Sequence, residues 1–206
     1  MEVIVEKYTD AGALRRANSY TTGHESHMTL ARAYALGHSP IRTQRFYIFL
    51  HDIPLFVASQ LVRSHVGVQW YQRSKRPDRG GESFREVCED LADNLYDGPD
   101  DPTGIILSLP DRFDRYAPTS LMADLNAEAI VNISLKRLCS AASAETREIW
   151  ERVLAELSDV DPDLARMCVR PCVAHGGICR EAKCCGFNKS GLFQKQLDLY
   201  RVLFVR

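Results

Sequence analysis

The sequence predicts an α+β fold, and three observations predict it: several amphipathic helical stretches with recognisable caps, a short aromatic and β-branched run suited to a buried strand, and no internal repeat or low-complexity tract. A chain of 206 residues, 45% of them hydrophobic, can bury one sizeable core without disulfides. One α+β domain is expected over residues 1–165, followed by a Cys-rich C-terminal extension over residues 166–206.

The elements follow in chain order. Between Thr22 and Leu36 the positions Met28, Ala31, Tyr34 and Ala35 recur at helical spacing and Gly37 follows as a stop, so a helix is predicted there. Phe46-Tyr47-Ile48-Phe49-Leu50 is the predicted strand. Pro54 suits the first turn of a helix through Leu55, Phe56, Ala58, Ser59 and Val62, because its missing amide hydrogen would be unpaired there anyway. Gln60 and Arg63, three apart, then share one face. Residues 76–81 and 97–104 are dense in Pro, Gly and Asp and are expected to be loops. Asn126 is a good N-cap for a helix through Ile130, Ile133 and Leu138, on which Asn126, Ile130, Ile133 and Arg137 form one stripe. A further helix starts near Ser143 and carries Ile149, Trp150, Val153, Leu154 and Leu157, and Asp161-Pro162 opens a shorter one.

The charge balance narrows the class of function. Twenty-six Lys+Arg against 27 Asp+Glu leave a formal charge of -1, so neither a nucleic-acid nor a membrane partner is expected. The opening Met-Glu-Val-Ile-Val-Glu-Lys lacks a basic segment leading into an apolar one, and no run approaches the roughly 18 to 20 apolar residues that cross a bilayer. A soluble, cytoplasmic protein is expected. Seven cysteines are then thiols or metal ligands rather than a disulfide framework. Five of them fall between Cys168 and Cys185, with His175 among them. Cys168, Cys172, Cys179 and Cys184 are a possible tetrahedral zinc set, although paired C-x-x-C knuckles are lacking; thiols packed in a small subdomain are the other reading.

The densest polar cluster is Gln60-Leu61-Val62-Arg63-Ser64-His65, followed by Gln72-Arg73-Ser74-Lys75-Arg76. Guanidinium forks beside amides and hydroxyls suit a phosphate, whereas a charge run is more often a solvated face. The apolar lead-in from Ile53 to Val62 argues that Arg63 emerges from a buried helix.

These residues resemble the signature of the flavin-dependent thymidylate synthases, also called thymidylate synthase complementing proteins. Gln60 stands three residues before Arg63, and Ser74 two before Arg76; upstream, Gly37-His38-Ser39-Pro40 precedes the aromatic strand; downstream come Asn126-Ala127, Asn132, Arg137, Ala142, Glu145 and Arg147. Three ordered blocks cover roughly residues 37 to 147. Two departures are plain: Arg63-Ser64-His65 stands where the family has Arg-His-Arg, and Asn126-Ala127-Glu128 carries an acid in place of a base.

The resemblance implies conversion of dUMP to dTMP with 5,10-methylenetetrahydrofolate as carbon donor and FAD and NADPH as reductant, in a homotetramer with sites at subunit junctions. It implies that Gln60, Arg63, Ser74, Arg76 and Arg137 bind dUMP, with Arg137 catalytic through the charge that develops on the pyrimidine ring. It also directs His38, Ser39, Arg63, His65, Asn126 and Asn132 toward FAD. The altered flavin-facing positions leave two alternatives: a related C5 transfer such as hydroxymethylation, or a non-catalytic nucleotide- or metal-binding homologue.

Overall fold

The computed structural model describes residues 1–73, 88–89, 115 and 117–204. The α+β expectation holds among them. Strands β1 (Glu2–Lys7), β2 (Arg45–Pro54), β3 (Val68–Gln72) and β4 (Pro118–Asn126) form one antiparallel sheet in the order β1-β2-β4-β3. Phe46, Ile48 and Leu50 on β2 lie opposite Leu125, Ala123 and Leu121 on β4, and all six are buried. Their neighbours Tyr47, Phe49, Met122 and Asp124 are only partly covered, which is the period of two that a one-sided sheet requires. The predicted strand is therefore correct and extends at both ends. The register shifts between Leu50 and Ile53, and Asp52 in that bulge takes a left-handed φ of 55°.

The helix expected over residues 22–36 forms only in its second half, and a separate helix precedes it. Helix α1 (Ala11–Thr22) starts under the side chain of Asp10 and ends at Gly23, whose φ is 73°. Helix α2 (Leu30–Leu36) starts at Thr29, which accepts from the Arg32 amide, and ends at Gly37. Met28, counted as helical from its spacing, packs on the core from the connection between them.

Helix α3 (Leu55–Leu61) forms as expected, except that Pro54 closes β2 and stands before the helix, while Arg63 lies beyond its last turn. Helices α4 (Ala127–Arg137), α5 (Ala144–Val160) and α6 (Pro162–Met167) begin at Asn126, Ser143 and Asp161, the three caps named from sequence. They bury Ile130, Ile133, Trp150, Val153, Leu157 and Leu164 in one core with the sheet.

A buried polar knot fastens that core. The Asp161 carboxylate, 4% exposed, accepts from Lys7 Nζ at 2.6 Å and Tyr34 Oη at 2.8 Å and caps the Leu164 amide at 3.1 Å. It joins β1, α2 and α6. Burial first, and then the Asp161 charge, push the Tyr34 hydroxyl well above the ordinary phenol range.

Helices α7 (Pro171–Ala174) and α8 (Gly191–Val202) follow. Val173, Phe193 and Leu197 form a second, smaller cluster with Val169, Cys172 and Phe187, and Tyr200 touches both clusters. Among the described residues no helix is long and apolar enough to cross a membrane. The loops expected at 76–81 and 97–104 lie outside the described residues.

Candidate functional site

The ends of α3, α4 and α5 meet through hydrogen bonds. Arg137, the last residue of α4, donates from Nη2 to the backbone carbonyl of Gln60 in the last turn of α3. The Gln60 side-chain oxygen accepts from Thr146 Oγ1 at 3.0 Å, and Thr146 in turn accepts from Ser143 Oγ at 2.8 Å. Thr146 is fully buried in the first turn of α5, so the Gln60 amide is held from behind.

Arg137 is the unbalanced member. Its Nε is buried without a hydrogen-bond partner among the described residues, and burial, then the positive charge of Arg63, lower its affinity for its proton below the ordinary guanidinium range. Arg63 is exposed. Neither arginine forms a salt bridge with a carboxylate among the described residues. Two guanidinium groups held in electrostatic reach, one with an orphaned buried donor, are relieved by an anion or a group that gains negative charge. Of the residues expected at the nucleotide, Gln60, Arg63 and Arg137 are thus together, whereas Ser74 and Arg76 lie outside the described residues.

The residues expected at FAD flank the other end of α4. Asn126 Oδ1 accepts from the Ala129 amide at 2.9 Å, and the Asn126 amide donates to Gly67 O at 2.9 Å. Gly67 lies over this cap at φ 75°; a Cβ there would come within 2.7 Å of Asn126 Nδ2, so only glycine lets the backbone approach. That places the exposed Arg63-to-His65 turn beside the cap, and Trp70 Nε1 pins the turn by donating to Ser64 O at 2.7 Å.

On the other flank a short 3-10 helix, Ser39–Thr43, follows His38, and both His38 and Ser39 are exposed. From it Arg42 grips Glu128 through Nε at 2.7 Å and Nη2 at 3.1 Å. Glu128 is therefore neutralised by a cation from another element. Asn132 is exposed and stands roughly 140° around α4 from Arg137, away from this group. His38, Ser39, Arg63, His65 and Asn126 thus suit an anionic cofactor at the positive end of an eleven-residue helix.

Sequence reasoning missed Thr146, Gly67 and Arg42. Thr146 had a local signal, Ser143 three residues before it at a helix start. Arg42 had none, because Glu128 is 86 residues away.

The cysteines do not converge as one zinc set. Cys168 faces the main core, where burial pushes its thiol up to about 12 in spite of a hydrogen bond with Ser134. Cys172, Cys179, Cys184 and Cys185, with Cys139 and His175, instead line a cavity of about 320 Å³ between the end of α4 and the C-terminal segment. Cys168 therefore cannot join Cys172, Cys179 and Cys184 around one ion. Among the described residues no group of three or more His, Cys, Asp or Glu side chains is placed to hold a metal.

Two solved structures are similar in fold. Thymidylate synthase X from Helicobacter pylori, solved with FAD and dUMP, superposes at a TM-score of 0.57 with 15% identity, covering 82% of this chain and 99% of that one. A second structure, the flavin-dependent thymidylate synthase ThyX of Helicobacter pylori complexed with FAD and dUMP, gives 0.59 and 14%, covering 82% and 100%. No family model matches the sequence, and no curated protein does. At such low identity the likeness is one of fold: the chain has the architecture of these flavin-dependent thymidylate synthase structures.

Proposed function

We propose that the chain is a flavin-dependent thymidylate synthase, converting dUMP to dTMP with 5,10-methylenetetrahydrofolate as one-carbon donor and FAD and NADPH as reductant. The observation that carries this reading is the buried, unpartnered Nε of Arg137 beside Arg63, on a fold shared with two proteins solved with FAD and dUMP.

Methylation at C5 of a uracil needs electron density at C5 and then a reductant. Bound FAD would supply the hydride and carry the one-carbon unit, which is chemistry no side chain provides. The chain's own part is binding and fixed charge. Arg137 stabilises negative charge as it develops on the pyrimidine ring, and the Gln60 carbonyl fixes the guanidinium in advance, so little reorganisation is needed in the transition state. Thr146 holds Gln60 Oε1 and leaves the amide nitrogen to donate to a ring carbonyl. Arg63 binds the nucleotide from the exposed side, and Ser74 and Arg76 take the phosphate.

Arg63, His65, Asn126 and Asn132 would hold FAD, with His38 and Ser39 approaching it from a neighbouring subunit of a homotetramer. Residues 1–165 form the catalytic unit and residues 166–206 an appended segment, whose first residues Met167 and Cys168 pack into the main core. A second reading, C5 hydroxymethylation, rests on the altered flavin-facing positions: Glu128, paired with Arg42, stands where the family that the chain resembles has a base.

The test is the visible spectrum of the purified protein, followed by tritium release from C5-labelled dUMP with methylenetetrahydrofolate and NADPH. Flavin absorbance, tritium release and a product of dTMP mass support the proposal. A hydroxymethylated product moves the conclusion to the second reading. A protein that stays colourless after reconstitution with FAD and releases no tritium refutes both.

A further inference from the structure

The C-terminal cavity is not used by the reaction proposed above, yet it gathers five of the seven cysteines. Cys179 and Cys184 stand five apart in the chain on the wall of this one cavity, within electrostatic reach of each other. Cys184 is exposed and Cys179 half-buried, and all four residues between them are exposed. Cys184 Sγ also lies 3.4 Å from the Gly186 amide and 3.3 Å from Asn188 Oδ1, and Asn188 is itself anchored by its amide to Gly177 O at 2.8 Å. One sulfur is thus framed at the cavity wall. The other stands at the far end of a solvent-facing connection of four residues, and a disulfide bond requires the two sulfurs to close to roughly 2 Å.

Of the remaining thiols, Cys172 is half-buried against the smaller apolar cluster. Cys185 takes hydrogen bonds from the Phe187 backbone and the Ser140 hydroxyl, and Cys139 points at Glu181 at 3.9 Å. Lys136, Arg170 and Arg180 line the same cavity, against the single carboxylate of Glu181; Arg170 also reaches Glu151 at 3.7 Å. The lining is net cationic. Its volume is at the lower end of the range of small-molecule sites.

We propose that Cys179 and Cys184 form a redox-active dithiol that is oxidised by exchange with a small disulfide bearing carboxylates, of the glutathione disulfide type. Cys184, its proton lost to solvent, attacks one sulfur of that disulfide and releases one thiol, leaving a mixed disulfide. Cys179, deprotonated in turn, attacks Cys184 Sγ and releases the second thiol. Two protein thiols are oxidised and one small disulfide is reduced to two thiols, so no further oxidant is required.

The full chain is reduced, equilibrated anaerobically in glutathione mixtures of rising disulfide fraction, trapped by alkylation and mapped by peptide mass spectrometry. Cys179 and Cys184 should become protected together and be linked to each other, with protection reversed by dithiothreitol. Cys179→Ser should stop at a glutathione adduct on Cys184, and Cys184→Ser should leave residue 179 open to alkylation; circular dichroism confirms that each variant is folded. Cystamine, a cationic disulfide, should react several-fold more slowly than glutathione disulfide at low salt, with the gap closing at high salt. A link between Cys172 and Cys185 instead, or no protection at any ratio, overturns the proposal. So does protection that a chelator reverses and dithiothreitol does not, which would assign the thiols to a metal, and so does equal reactivity of the two disulfides. None of these outcomes depends on flavin binding or on turnover of dUMP.

Discussion

At its start, α4 has a side-chain cap from Asn126, a glycine folded closely over that cap, and a bidentate ion pair from Arg42 to Glu128. At its end, Arg137 has one backbone partner, a buried nitrogen with none, and a like charge nearby. The same helix is thus closed at one end and open at the other. Buried donors left unpaired cost on the order of 1–3 kcal/mol, so an arrangement that keeps one is explained by what a ligand adds there. The closed end positions the helix, and the open end is where chemistry is proposed.

The largest expected effect comes from breaking the open end. Arg137→Ala and Arg137→Lys should both keep the fold, because the side chain makes only one hydrogen bond and no salt bridge among the described residues. A desolvated guanidinium aimed at developing charge contributes about 3 kcal/mol to a transition state, or roughly a hundredfold in rate. Single-turnover oxidation of reduced flavin by dUMP and methylenetetrahydrofolate should fall by about that factor, and dUMP should bind more weakly. Lysine should not rescue, since it keeps the charge but loses the planar fork. Parental turnover in both variants at saturating dUMP would make Arg137 a structural strut and remove the contrast.

Closing the comparison from the other side, Gly67→Ala should damage stability first. The new methyl group meets Asn126 Nδ2 at 2.7 Å and the backbone must hold φ 75° with a side chain. Strain of about 1 kcal/mol and a lost cap of about 1 kcal/mol together predict roughly 2 kcal/mol, a fall of about 4–8 °C in melting temperature for a chain of this size. Asn126→Gly in the same background should recover part of it, because the clash is removed. No change on scanning calorimetry would mean that the turn at Gly67 is looser than the contact implies.

Between the two ends, the middle of α4 is sealed. Ser134 donates to Ile130 O at 2.8 Å and accepts from Trp150 Nε1 at 2.9 Å, and Cys168 rests against it. Burial holds the Cys168 thiol protonated up to about 12, whereas in the unfolded chain it ionises near the ordinary value of 9.0. The folded state therefore binds this proton more tightly, and its advantage is intact below about pH 9 and is lost as pH climbs toward 12. One such group steepens the loss by up to about 1.4 kcal/mol per pH unit. Melting temperature should fall across that window. The fall should be shallower in Cys168→Ala, though not absent, because the raised Tyr34 hydroxyl acts in the same direction. An identical slope in the variant would show that Cys168 is not shielded.

What the sequence revealed was local. The starts of α4, α5 and α6 were legible because Asn126, Ser143 and Asp161 cap amides within three residues of themselves, and the strand at Phe46–Leu50 because its residue types suit a pleated, buried face. Gly23 and Thr29 carried the true boundaries inside residues 22–36, but the apolar Met28 matched the helical period and masked them. The long-range links were invisible. Lys7 and Asp161 are 154 residues apart and Gln60 and Thr146 are 86 apart, so nothing in their neighbourhoods announces the pairing. Cys168 and Cys172, four apart, were grouped by proximity, yet one belongs to the main core and the other to the smaller cluster.

The smallest effect, and the sharpest test of what the closed end is for, concerns Arg42 and Glu128. Their ion pair is solvent-facing, with side chains 58% and 27% exposed, so water and salt screen it and its contribution to stability is slight. Arg42→Ala and Glu128→Ala should each shift the melting temperature by little, and the shifts should shrink further in high salt. Flavin affinity separates two roles that stability cannot. If Arg42 serves only to neutralise the acid, then Arg42→Ala exposes Glu128 to an anionic cofactor and weakens FAD binding, and the double variant with Glu128→Ala restores it. If Arg42 contacts the cofactor itself, the double variant stays weak. Titrating FAD by fluorescence quenching against the parent, both single variants and the double variant completes the cycle. The structure leads to the first outcome, because both bonds that Arg42 makes through its guanidinium already go to Glu128.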